Sequence, residues 1–112
     1  MRTDRLRLLD AIEQIDLISR FSQGGREAFF HDVLIQSALL HRLALLGEPC
    51  RGLSPALREA HPDVPWPQII AFRNVVIHEY FGIDLQLLWT IVSEHIAALG
   101  GQLRSVADSL PD

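Results

Sequence analysis

Arg73, Asn74, His78, Glu79 and Tyr80 place a guanidinium, an amide, an imidazole, a carboxylate and a phenol within eight positions of an otherwise apolar stretch. On a helix Asn74 and His78 are four apart and share a face, so the amide can orient the ring. Arg73 and His78 are five apart, about 140° around the axis. One helix therefore does not aim both at one point unaided. Arginine's reach, a helix end near His78, or a two-fold copy of the segment would bring them together. The copy fits best with the surplus of apolar surface elsewhere and predicts a polar cleft at a homodimer interface with two Arg73 and two His78 side chains.

Such a cleft has the parts to cut RNA without a metal. An imidazole changes charge near neutral pH, so His78 suits taking a proton from a ribose 2′-hydroxyl or giving one to a departing 5′-oxygen. A planar fork of donors at Arg73 matches two phosphate oxygens as charge builds on them. Asn74 would hold the ring or a phosphate oxygen. Plainer readings use the same residues: Arg73 pairing with Glu79 or an acid on another helix, His78 sitting against a helix C-terminus, and Tyr80 simply packing.

The surrounding elements must position this segment, and all read as helices. Leu8, Leu9, Ile12, Ile15 and Ile18 recur at helical spacing from Thr3 to Phe21, and Ser22-Gln23-Gly24-Gly25 stops the run. A second helix is expected from Arg26 or Glu27 to Leu46, apolar on more than one stripe and ended by Gly47. Ser54 and Pro55 open a short helix, and Trp66-Pro67 opens the one carrying the polar segment. β-Branching over Val75–Ile77 suggests a strand, but the chain offers no strand to pair with it. Asp84 caps the last helix, which Gly100-Gly101 is expected to bend or interrupt. The expectation is an all-α, up-and-down bundle of four or five helices, one domain over residues 1–112.

Composition narrows the classes. Fourteen acidic against ten basic residues, all of them Arg, give a formal charge of −4, which argues against a general nucleic-acid coat but leaves room for a local arginine cleft. One cysteine, Cys50, excludes an intrachain disulfide. With no signal-like N-terminus and no apolar run of spanning length, a cytoplasmic protein away from the membrane is expected. His31, His41, His61 and His95 lack ligand spacing, so no metal and no cofactor is expected. Trp66 and Trp89 read as core.

The run Arg-x-x-x-x-His-x-Tyr, set as Arg73, His78 and Tyr80, resembles the signature of the HepT-like toxins of the HEPN superfamily. The stretch Leu53 to Trp66, and Tyr80-Phe81-Gly82-Ile83-Asp84 followed by Leu88-Trp89, are similar to the family's flanking segments. The resemblance implies an all-helical, dimeric, metal-independent ribonuclease. Its implied partner is a minimal nucleotidyltransferase antitoxin, with ATP as that partner's substrate. It places Arg73 and His78 as the catalytic pair, Asn74 as the supporting polar residue and Tyr80 as the tyrosine that receives AMP. Leu46-Gly47-Glu48-Pro49-Cys50 departs from the family's usual phrase, and Pro49 is expected to terminate or kink the helix early. Two alternatives from other classes are a non-catalytic binding subunit of a nucleotidyltransferase and a nucleotide-binding regulator.

Overall fold

A computed structural model describes residues 3–111 of the chain. Helix α1 covers Asp4–Phe21, where the Thr3 hydroxyl accepts from the Leu6 N–H at 3.2 Å and caps the first turn. Leu8, Ala11, Ile15 and Ile18, at spacings of three and four, form its buried stripe. Gly25, with φ +86°, turns the chain in a conformation that side-chain-bearing residues rarely adopt.

The expected second helix is two. Helix α2 spans Gly25–His31 and α3 spans Val33–Arg51, bent by 100° from one another. The break is Asp32: its backbone is extended and its carboxylate accepts from the Leu34 N–H at 2.9 Å, so it caps a new helix instead of continuing the old one. Gln36 ties the corner by donating to the Phe29 carbonyl at 3.0 Å. Phe29 is fully buried, stacked on Trp89 with ring centroids 5.2 Å apart.

Gly47 and Pro49 do not end α3 either, since the helix runs through both to Arg51. Pro49 removes one donor from the last turn. The apolar burial of Leu46 and Cys50 offsets that loss and keeps the turn wound.

Helix α4, Pro55–Ala60, opens as expected, with the Ser54 hydroxyl accepting from the Leu57 N–H at 3.2 Å. Ser54 also fastens this end of the chain to α1: its N–H and hydroxyl both donate to the Asp4 carboxylate, at 3.0 and 2.6 Å. Helix α5 spans Trp66–His78, so Val75–Ile77 is helix and not strand. Trp66 is buried and donates its indole N–H to the His61 carbonyl at 3.0 Å. Asp84 caps α6, Leu85–Thr90, by accepting from the Gln86 and Leu87 N–H groups.

A wider π turn, Ile91–His95, joins α6 to α7, Ile96–Ser109. Gly100-Gly101 therefore does not interrupt the last helix. Gly100 instead lets α1 come close, because a Cβ there would lie 3.1 Å from the Ile15 Cγ2. The irregularity falls earlier, at the π turn, where Ser93 donates to the Trp89 carbonyl at 2.7 Å.

The chain is an all-α bundle, and no strand occurs among the described residues. Helix α3 is its spine, packed on α1 along one side and α5 along another, while α7 closes on α1. Helix α5 thus gets its support chiefly from α3. Among the described residues no single helix is long and apolar enough to cross a membrane; α2 and α3 together have the composition, but the bend divides them.

Candidate functional site

The site starts from the contact between α3 and α5. Gly47 is buried, and a Cβ at that position would overlap the Arg73 Cβ and sit 2.9 Å from its Cγ. The missing side chain is what lets the arginine stem lie flat on α3. The Arg73 side chain is consequently only 18% exposed.

Two groups hold the guanidinium. Nη2 meets the Glu48 Oε2 at 2.6 Å, and Nη1 donates to the Asn74 Oδ1 at 2.9 Å. Nε is buried with no hydrogen-bond partner. The other Glu48 oxygen lies 3.6 Å from the Arg51 Nη1, one turn along α3. The plainer reading of Arg73, pairing with an acid on another helix, is realised, with Glu48 as the acid and not Glu79.

His78 is the last residue of α5 and is exposed. The Glu79 N–H closes the helix onto the Val75 carbonyl at 2.8 Å, and a single 3-10 turn, Tyr80–Gly82, follows. Among the described residues no hydrogen bond joins His78 to Asn74. The amide oxygen expected to steer the ring accepts from Arg73 instead, because neighbouring residues at the helix surface let the long arginine fold back to it. Arg73, Asn74 and Glu48 are thus brought together, while among the described residues no hydrogen bond or ion pair joins His78, at the helix end, to them.

Tyr80 is 40% exposed, and its ring meets Phe81 edge-on with centroids 5.5 Å apart. Phe81 itself is wholly exposed, and Val75, Ile77 and Leu87 are further large apolar side chains open to solvent on α5 and α6. Val75, Ile77 and Phe81 therefore expose apolar surface within the same stretch of chain as Arg73 and His78.

Sequence reasoning did not pair Glu48 with Arg73. The signal was present in Gly47-Glu48, a small residue next to an acid on the helix preceding the arginine, but only the α3–α5 register identifies the partner. Cys50 offers no nucleophile: burial pushes its thiol from the ordinary 9.0 up to about 12. Among the described residues no three His, Cys, Asp or Glu side chains gather as a metal-binding group.

Comparison with known proteins bears on what this arrangement serves. The chain is 33% identical over 100 residues to a protein of Methanocaldococcus jannaschii whose name describes it as a candidate RNase, covering 88% of this chain and 92% of that one. It is 34% identical over 103 residues to a protein of Thermococcus cleftensis named a probable ribonuclease HepT, covering 88% and 91%. A third relative, a candidate RNase by name from Caldanaerobacter subterraneus subsp. tengcongensis, is 31% identical over 107 residues, covering 95% and 96%. No solved structure matches the chain. Residues 11–106 match the description Ribonuclease HepT-like, and the chain belongs to that family.

Proposed function

We propose that this protein is a metal-independent endoribonuclease toxin, acting as a homodimer and silenced by AMP on Tyr80. Family membership supports ribonuclease chemistry. The observation that carries the mechanism is the placement of a largely enclosed arginine, Arg73, on the helix that ends in the exposed His78.

In the proposed reaction His78 accepts the proton of a ribose 2′-hydroxyl, and the 2′-oxygen attacks the adjacent phosphorus. The bond to the 5′-oxygen breaks, and that oxygen takes a proton from the second His78 of the dimer. The products are a 2′,3′-cyclic phosphate and a 5′-hydroxyl end. Arg73 holds the non-bridging oxygens as negative charge grows on them, and Asn74 steadies its guanidinium. A second copy is invoked because His78 and Arg73 diverge on one helix. The exposed Ile77 and Phe81 beside them supply apolar surface for a two-fold contact.

For control, a nucleotidyltransferase antitoxin would use ATP to modify Tyr80: the phenol oxygen attacks the α-phosphorus, pyrophosphate leaves, and AMP remains. The exposure of Tyr80 two residues beyond His78 supports that reading. The added phosphate would set bulk and negative charge beside the cleft and repel RNA.

The test is intact mass of the protein purified alone and with its genomic neighbour, followed by incubation of both with total RNA. Cleavage by unmodified protein is expected, with cyclic phosphate ends. It should fall about 10²- to 10⁴-fold in His78→Ala and be lost when the mass at Tyr80 rises by one or more AMP groups. Intact RNA after incubation with verified unmodified dimer would sink the ribonuclease reading and favour a non-catalytic binding subunit of the nucleotidyltransferase.

A further inference from the structure

A guanidinium grips a phosphate along one of two edges: end-on with Nη1 and Nη2, or side-on with Nε and Nη2. Nη2 belongs to both. In this chain Nη2 is held by Glu48 at 2.6 Å, Nη1 by Asn74 at 2.9 Å, and Nε is buried. Neither edge is open to a phosphate while Glu48 stays where it is. We propose that Glu48 is the resting counter-ion of Arg73, that an RNA phosphate competes with it for the guanidinium, and that the displaced carboxylate moves onto Arg51. This rests on the reading above of Arg73 as the phosphate-holding group.

Three observations support the exchange. Glu48 is half exposed, 52%, so water screens the pair and displacement is not prohibitive. Its second oxygen is already 3.6 Å from the Arg51 guanidinium, so a short side-chain rotation completes the new pair without moving α3. Glu48 also borders a groove of about 540 Å³ between α1 and the end of α3, lined by Arg7, Asp10, Gln14, Arg51 and Gly52, which gives the carboxylate room to turn toward Arg51. Arg51 is itself 58% exposed and faces the same groove.

The device has a functional consequence. A phosphate that pays only for swapping one anion for another leaves Arg73 neutralised at every stage, and unproductive anions bind poorly because each must displace Glu48. Glu48 is thus a positioning residue in the empty protein and a competitor when RNA arrives.

The test uses full-length protein in a His78→Ala background and a labelled mixed-sequence 2′-O-methyl oligonucleotide, which cannot cyclise. Glu48→Gln keeps the shape and removes the charge. It is expected to tighten binding roughly threefold to tenfold, the range of a partly screened ion pair. Asp108→Asn, an exposed acid near the end of α7, controls for net charge and should change binding by less than about twofold. The Glu48→Gln gain should vanish in an Arg73→Ala background. With His78 intact, Glu48→Gln should lower KM for RNA with kcat nearly unchanged. Should Gln disturb folding, as read by far-UV circular dichroism, Glu48→Asp withdraws the carboxylate from Nη2 and should shift binding in the same direction.

Weaker binding by Glu48→Gln, a fall in kcat at constant KM, or a gain that persists without Arg73 would each overturn the proposal. The ribonuclease reading fails separately, on uncut RNA with the unsubstituted protein, and the binding series judges Glu48 either way.

Discussion

Gly47 lies against the stem of Arg73 so closely that a single added carbon would overlap it. The contact joins α3 to α5 and fixes where the guanidinium emerges. Gly47→Ala gains intrinsic helix propensity, about 1 kcal/mol, but must push the arginine or the helices apart. Overpacking of this kind costs about 1–3 kcal/mol, so the expected outcome is a net loss of stability with a lower thermal midpoint. RNA cleavage should fall further than stability does, because the displaced group is Arg73. An equally stable and equally active variant would show that the α3–α5 spacing is soft.

Asp4 and Ser54 give the fold an acid-sensitive tie. The Ser54 hydroxyl, donating to Asp4, holds its carboxyl below the ordinary 3.8; burial opposes this, while the Ser54 N–H and Arg7 add to it. A lowered folded value means the carboxylate contributes stability above the unfolded value, and that the contribution is lost as pH falls through the folded one. Asp4→Asn should therefore be less stable than the natural chain at pH 6, by about 0.5–1.5 kcal/mol for an impaired hydrogen bond. The difference should shrink once the pH is taken below the ordinary carboxyl value of 3.8 and Asp4 takes up its proton. Urea titrations at both pH values check this, and a gap that stays constant would remove Asp4 as the titrating tie.

Cys50 should be inert in the native state. Raised from 9.0 to about 12, its thiolate is scarcer at pH 8 by about a thousandfold, and the side chain has no exposed surface. A disulfide reagent at pH 8 is expected to label it only after denaturant is added. Prompt labelling of native protein would mean that the end of α3, around Pro49, opens readily.

Helix starts were legible because caps are local chemistry. Ser54 and Asp84 each stand directly before the helix they open and each caps as its type requires. Asp32 is the same kind of signal, but it stands inside a long apolar stretch, and hydrophobic periodicity alone carried the second helix across it. Pro49 and Gly100-Gly101 misled in the opposite direction. Both are local breakers overruled by tertiary burial, of Leu46 and Cys50 in one case and of Gly100 against Ile15 in the other. Within the site, residue types at 73, 74 and 78 pointed to phosphate chemistry. The Arg73–Glu48 pair depends on helix register between segments 25 residues apart, which spacing along the chain does not encode.

The exposed aromatic at 81 supplies the last test. Phe81 is entirely open to solvent one residue beyond Tyr80, and Ile77 and Val75 on the preceding helix are also exposed. An apolar group left in water beside a polar site favours association, because burying a side chain of this size yields about 1.5–3 kcal/mol. If the proposed two-fold contact uses this surface, Phe81→Arg should weaken the dimer by that amount in each half of the contact. The dissociation constant would then rise by at least about a hundredfold. Sedimentation over a range of concentrations measures it. Cleavage should then decline as the dimer fraction does and recover at high protein concentration, since each centre needs both copies. Activity that persists in a verified monomer would place both catalytic groups within one chain and remove the need for the second His78.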